Sequence, residues 1–207
     1  MTARWGSLFV ISAPSGSGKT TLVRNLLASV DSMRFSVSYT TRAKRPSERE
    51  GVDYHFVTES GFRKMLAAGD FLEWAEVYGN LYGTSRSQTE TIRARGDDVV
   101  LDVDVQGAAQ VRRAVPEAIM IFVLPPSFSA LEDRLRQRQQ DSEKAIAGRL
   151  INARSEVHHY RDYDYVLINE NVAASSETLR AIVLAERARP ARLDEGIRRI
   201  LDSFEKG

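Results

Sequence analysis

The sequence predicts an α/β fold: a parallel sheet core flanked by helices, carrying an inserted mixed-sheet subdomain and a helical lid. Three observations predict it. Short apolar runs at 8–13, 97–104, 118–125 and 164–169 are each followed by a helical pattern, as buried parallel strands with crossover helices require. Between the first helix and Asp97 the texture changes to alternating and aromatic strand patterns broken by turn residues. From 126 to 163 the chain reads as two charged helices with a polar joint near Gln139 to Ser142.

Taken in order, the core comprises 1–34, 98–125 and 164–207, within one folding unit of 207 residues. Its first strand leads into "APSGSGKTT" (13–21), and Leu22, Val23, Leu26, Leu27 and Val30 then give a helix an apolar face. The segment 35–97 holds "RFSVSYTTR", "DYHFV" and "FLEWAEVYGNLYGTS", strand patterns of a small mixed sheet. "DDVVLDVD", "AIMIFVLP" and "DYVLIN" complete the central sheet, with the lid, 126–163, inserted before the last of them. A terminal helix follows Pro190.

The stretch from Leu8 to Leu27 carries the chemistry. Gly16 and Gly18 let the loop turn its N–H groups inward, and the open amides of the following helix add positive potential. Lys19 supplies a full charge and the Thr20 hydroxyl is placed for a magnesium ion. Strand, loop and helix together match the Walker A phosphate loop of P-loop NTPases, with Ala13 where the usual formula has Gly. Ala13, Pro14, Ser15, Gly16, Ser17, Gly18, Lys19, Thr20 and Thr21 are thus the expected ATP-binding loop.

Composition removes other classes. The net charge is +1, so no global field draws the chain to nucleic acid or a membrane, although 24 Arg stand against 5 Lys. There is no cysteine, hence no disulfide or thiolate metal site, which fits a reducing compartment. No run of eighteen apolar residues occurs, and a soluble cytoplasmic protein is the expectation. The oligomeric state stays open, a homo-oligomer included.

A phosphate loop names a superfamily, so the substrate must be read elsewhere. Arg42 and Arg45, three apart beside Pro46, with Tyr54 after a polar turn, suit a phosphate dianion; a solvated basic loop is the other reading. Glu73 lies in an apolar strand between Leu72 and Trp74. It is either buried against strong donors or, if alternation turns it outward, solvated. Trp74 is expected in the core, and His158 and His159, without a ligand set around them, at structural or surface positions.

"APSGSGKTT", "VSYTTRAKRPSEREGVDYHF", "FLEWAEVYGNLYGTS", "LDVDVQGAAQV" and "RLRQRQQDSE…GRL" together resemble the bacterial guanylate kinases, P-loop nucleoside monophosphate kinases, nearly end to end. The resemblance implies ATP-dependent, Mg²⁺-assisted phosphorylation of GMP, and of dGMP, to the diphosphate. It assigns Ser38, Glu73 and Thr84 to the guanine edge and Arg42, Arg45, Tyr54 and Tyr82 to the GMP phosphate. Asp104 faces the guanine side, and Asp102 joins Thr20 at the metal, partly through water. Lys19, Arg42, Arg134, Arg138 and Arg149 act on the transferred group, and Asn169 is an adenine contact. Departures from the family pattern are Gln137-Arg138-Gln139 for Gly-Arg-Gly, Ser47 for Gly in "RPGE", and "INEN" at 168–171. A ribosyl bisphosphate kinase of the same fold has no use for the guanine set, and a non-catalytic binding module typically lacks the Lys19–Thr20 pair.

Overall fold

The computed structural model describes residues 5–77, 79–137 and 142–205. In chain order its strands are β1 Leu8–Ser12, β2 Met33–Phe35, β3 Tyr39–Thr40, β4 His55–Phe56, β5 Phe71–Val77, β6 Asn80–Ser85, β7 Asp98–Asp102, β8 Ile119–Leu124 and β9 Tyr165–Ile168. The helices are α1 Lys19–Ser29, α2 Glu59–Ala67, α3 Arg86–Ala94, α4 Val105–Ala114, α5 Phe128–Gln137, α6 Glu143–Glu156, α7 Val172–Arg187 and α8 Pro190–Glu205, with a 3-10 turn at Val157–Asp162.

The described strands form two sheets. The first runs β2-β7-β1-β8-β9, every pairing parallel. Its strands are apolar on both faces because helices cover both: Phe9, Ile11, Val100 and Ile121 pack toward α1 and α7, while Leu8, Val10, Leu101 and Met120 pack toward α4. The four apolar runs of the sequence are β1, β7, β8 and β9. α8 opens on Pro190, whose fixed φ suits a first helical turn.

The second sheet runs β4-β3-β6-β5 and is mixed: β3 pairs parallel with β4 and antiparallel with β6, and β5 pairs antiparallel with β6. It has its own small core of Phe62, Phe71 and Leu81, with the rings of Phe62 and Phe71 stacked at 4.3 Å. Phe35 lies in the parallel sheet, and α3 is tied to it as well. Buried Arg93 donates through Nε to the Gly6 carbonyl at 2.8 Å.

β5 bridges the two cores. Its register against β6 slips between Phe71 and Glu73, a bulge across which three successive residues are buried. Phe71 enters the small core, Leu72 the main core, and Glu73 is buried against Thr84 of β6 and Gly107 of α4. Trp74 is therefore turned outward and is 38% exposed, against the expectation that it belonged to the core.

Candidate active site

The phosphate loop joins the C-terminal end of β1 to α1, where open parallel sheets bind ligands. Gly16 and Gly18 have φ of +96° and +92°, values only glycine adopts without strain. They also meet close neighbours. A Cβ on Gly16 would stand 2.9 Å from Leu131 of α5, and one on Gly18 would stand 2.5 Å from the Asn169 amide nitrogen. Helices α2, α3, α4, α6 and α7 begin with side-chain caps from Thr58, Ser85, Asp104, Ser142 and Asn171. α1 begins at Gly18 with no side-chain cap among the described residues, so its first amides are open to an anion.

A cleft of about 330 Å³ over the loop is lined by Ala13–Thr20, Asp102, Asp104 and Glu156. Lys19 Nζ lies 2.6 Å from Asp102 Oδ1 and donates to the Val103 carbonyl at 2.6 Å, so its charge is aimed across the mouth of β7. Thr20 and Thr21 are exposed at the start of α1. Asn169 is buried and donates through Nδ2 to the Ser17 carbonyl at 2.7 Å, fastening the loop from beneath. The lid adds two guanidinium groups. Arg134 Nη2 donates to the Asn169 carbonyl at 2.8 Å, and Arg149 Nη1 to Ser15 Oγ at 3.4 Å. Arg138, the third lid arginine expected at the site, lies outside the described residues, as does most of the joint around Gln139.

A larger cavity, about 680 Å³, lies near the opposite ends of β8 and β9. Its Arg112 and Arg189 are already paired with Asp164 and Glu186, each at 2.8 Å, and it holds none of the motif residues.

The second sheet gathers another set. Thr84 Oγ1 donates to Glu73 Oε1 at 2.6 Å, and both side chains are buried. The alternative left open by strand alternation is thereby resolved toward burial. Burial pushes the Glu73 carboxyl above the ordinary carboxylate range, with Asp104 adding to it and the hydrogen bond from Thr84 opposing. Asp104 caps α4, accepting from the Gly107 N–H at 2.7 Å. Ser38, half-buried, precedes β3, and its carbonyl accepts from His55 N–H at 2.9 Å.

Farther out on the same sheet, Arg42 sits with its guanidinium 5.5 Å from the centre of the Tyr54 ring, and that ring lies 5.9 Å from Tyr82. Arg42 Nη2 donates to Glu48 Oε1 at 2.6 Å, and that hydrogen bond lowers the Glu48 carboxyl. Glu48 Oε2 also accepts from the Arg45 main-chain N–H at 2.8 Å; the Arg45 residue is exposed. The fold thus groups Arg42, Tyr54 and Tyr82 and, separately, Glu73 and Thr84 with Asp104 nearby. His158 and His159 are exposed on the 3-10 turn.

Sequence reasoning missed three residues here. Glu156, half-buried at the end of α6, lines the cleft over the phosphate loop, and burial followed by Asp104 raises its carboxyl; nothing in the lid's charge pattern marks it. Glu48 was hidden in a basic loop. Gly107 sits within "DVQGAAQV", where it reads as an ordinary helical glycine.

The chain is similar to known proteins over most of its length. The family model described as Guanylate kinase matches residues 6–186. A guanylate kinase of Syntrophotalea carbinolica is 48% identical over 199 residues, covering 96% of this chain and 95% of that one. One of Methylobacillus flagellatus is 52% identical over 184 residues, covering 89% and 91%. A crystal structure of guanylate kinase from Anaplasma phagocytophilum superposes with a TM-score of 0.73 at 34% identity, over 93% of this chain and 92% of that one. Matched by the family model over most of its length, and by relatives about half identical to it, the chain belongs to the guanylate kinase family.

Proposed function

We propose that the protein transfers the γ-phosphoryl group of ATP to GMP, and to dGMP, giving ADP and the nucleoside diphosphate. The observation that carries this is the pairing of a phosphate loop with a buried carboxylate, Glu73, held by Thr84. Guanine presents N1–H and the 2-amino group side by side, and one carboxylate accepts from both. Adenine offers a lone pair at N1 and no 2-amino group, so it would leave Glu73 buried with only the Thr84 hydroxyl as donor.

The remaining residues take roles by chemistry and position. The open amides of α1 and the loop cradle the ATP phosphates, with Asn169 fixing the loop's shape. Lys19 exchanges Asp102 and the Val103 carbonyl for the phosphates. Arg134, Arg149 and Arg138 neutralise the transferring group from the lid. Arg42, Arg45, Tyr54 and Tyr82 hold the acceptor phosphate, and Ser38 and Thr84 complete the guanine edge. One GMP phosphate oxygen attacks the γ-phosphorus as the bond to the bridging oxygen breaks and ADP leaves. The attacking group is already an anion, so no general base is needed and the protein's task is alignment and charge stabilisation.

The donor set fits magnesium. A threonine hydroxyl and Asp102 line the cleft beside the loop, and Mg²⁺ takes one or two such oxygens together with phosphates and water. Thr20 and Asp102 would hold it, the latter through water, and the ion would supply charge neutralisation between the phosphates. Among the described residues no helix is long and apolar enough to cross a membrane. With a cysteine-free chain we place the reaction in the cytoplasm.

The test is ADP release from ATP with GMP, dGMP, IMP, AMP, CMP, UMP or ribosyl bisphosphate as acceptor. GMP should exceed AMP by roughly 10⁴-fold in kcat/KM, as a site built on hydrogen bonds allows, with IMP between them. AMP within tenfold of GMP, or a preference for ribosyl bisphosphate, would overturn the reading.

A further inference from the structure

Glu73 stands on an edge strand, with its carboxylate between Thr84 and α4. In the order β4-β3-β6-β5 only β6 lies beside β5, so the other side of β5 presents main-chain groups that no strand satisfies. At Trp74, the residue after Glu73, one side chain takes both of them. Trp74 N–H donates to Gln110 Oε1 at 3.1 Å, and Gln110 Nε2 donates to the Trp74 carbonyl at 3.0 Å. The Gln110 amide stands in for a neighbouring strand at one position. On the other side of Glu73, Leu72 is buried in the main core.

Gln110 lies on α4, whose cap is Asp104, and Asp104, Gly107 and Gln110 follow at three-residue spacing on one helix face. The middle position is where the carboxylate lies. A Cβ on Gly107 would stand 3.1 Å from Glu73 Oε2, 3.2 Å from Val103 Cβ and 3.4 Å from Asp104 Oδ1. Thr84 holds Oε1. The face of α4 thus leaves room for the second oxygen and grips the main chain one residue away.

We propose that Gln110 and Gly107 are positioning residues for guanine discrimination, setting where the Glu73 carboxylate stands. Two hydrogen bonds to one base edge require the acceptor within about 0.5 Å and 10–20° of its productive place. A bulged edge strand is the element least able to hold that by itself. Among the described residues the side-chain hydrogen bonds of Gln110 go to Trp74 and not to the segments that carry Arg42 and Tyr54, so loosening this contact acts on the base rather than the acceptor phosphate. The inference rests on the reading of Glu73 as the guanine acceptor.

The test is Gln110→Met, which keeps side-chain length and helix propensity and removes both hydrogen bonds. KM and kcat are measured for GMP and IMP at saturating Mg·ATP and for ATP at saturating GMP, with thermal unfolding alongside. The GMP-over-IMP preference should narrow about tenfold and KM for GMP should rise about tenfold, since misplacement by 1 Å costs up to about 10². KM for ATP should stay within about twofold. An unchanged preference, or an equal loss on GMP, IMP and ATP, would reduce Gln110 to a structural edge cap and overturn the proposal. Gly107→Ala is the second variant. It crowds Oε2 by a few tenths of an ångström at a helical position where Ala is otherwise favoured, so it should narrow the same preference without lowering stability; if Gln110→Met does not fold, this ratio decides. Glu73→Gln in the same assay separates the two levels. If it leaves the preference intact, the guanine reading and this inference both fall. If it collapses the preference while the α4 variants do not, only this inference falls.

Discussion

The donor half of the proposed site draws most of its shape from one run, Ala13 to Thr20, whereas the proposed acceptor half collects Ser38, Arg42, Tyr54, Glu73, Tyr82, Thr84 and Asp104 from separated stretches of chain. Both halves keep a cation paired with an internal carboxylate, Lys19 with Asp102 and Arg42 with Glu48, each at 2.6 Å. The difference lies in what holds the pair. Lys19 and Asp102 stand on α1 and β7, elements of the parallel sheet and its first helix, while Arg42 and Glu48 share one loop of the smaller subdomain. A backbone cradle aims a charge with little help from distant residues. A side-chain pocket is only as well set as the elements that carry it.

Lys19→Met should give the largest effect. It removes the aimed charge and keeps the loop, so kcat should fall about 10²–10³-fold or more, with unfolding temperature and GMP affinity nearly unchanged. Calorimetric titration with GMP beside turnover checks this, and a parallel loss of GMP binding would break the separation of the two halves. Arg134→Ala comes next. Its guanidinium donates to the Asn169 carbonyl over the loop, and its removal should lower kcat about 10²-fold, as for one preorganised donor, with KM for GMP within about threefold. A large rise in KM for GMP would place Arg134 in the acceptor half instead.

The smallest effect sharpens the comparison from the acceptor side. Burial holds the Glu73 carboxyl above the ordinary 4.5, so the folded protein binds that proton more tightly than the unfolded chain does. Glu73 therefore contributes stability that is fully present below pH 4.5 and is lost as pH rises through the raised value. Glu73→Gln has no such loss. Its unfolding temperature relative to the parent should be higher at pH 7.5 than at pH 4.5, by about 2–4 °C for each kcal/mol at this chain length. Thermal unfolding of both proteins at the two pH values measures it, and a difference of opposite sign would mean that the carboxylate is better solvated than its burial implies.

These two halves also differ in how far the sequence disclosed them. Gly16, Gly18, Lys19 and Thr20 are neighbours, and their chemistry depends on local turns, so the loop was readable together with the strands and helices around it. Glu73 was not. Strict alternation puts Leu72 and Trp74 on one face and Glu73 on the other, whereas the bulge between Phe71 and Glu73 turns Leu72 into the core, Glu73 toward Thr84 and α4, and Trp74 out to 38% exposure. A one-residue irregularity has no signature in polarity. Gln110 was invisible for a related reason: it acts on main-chain groups of Trp74, 36 positions earlier, and main-chain groups carry no residue identity. The residues proposed for the acceptor were assigned only through the resemblance of whole segments to a known family.

The hydrogen bond from Asn169 to the Ser17 carbonyl spans 152 positions of chain. During synthesis the phosphate loop leaves the ribosome long before the residue that fastens it, by roughly 8–30 s at about 5–20 residues per second. Throughout that interval the growing chain carries the loop's sequence without the bond that fastens it, and β9 has yet to join the sheet. The fastened loop thus arrives late in the life of the nascent chain, when the residues proposed for the acceptor have already been made.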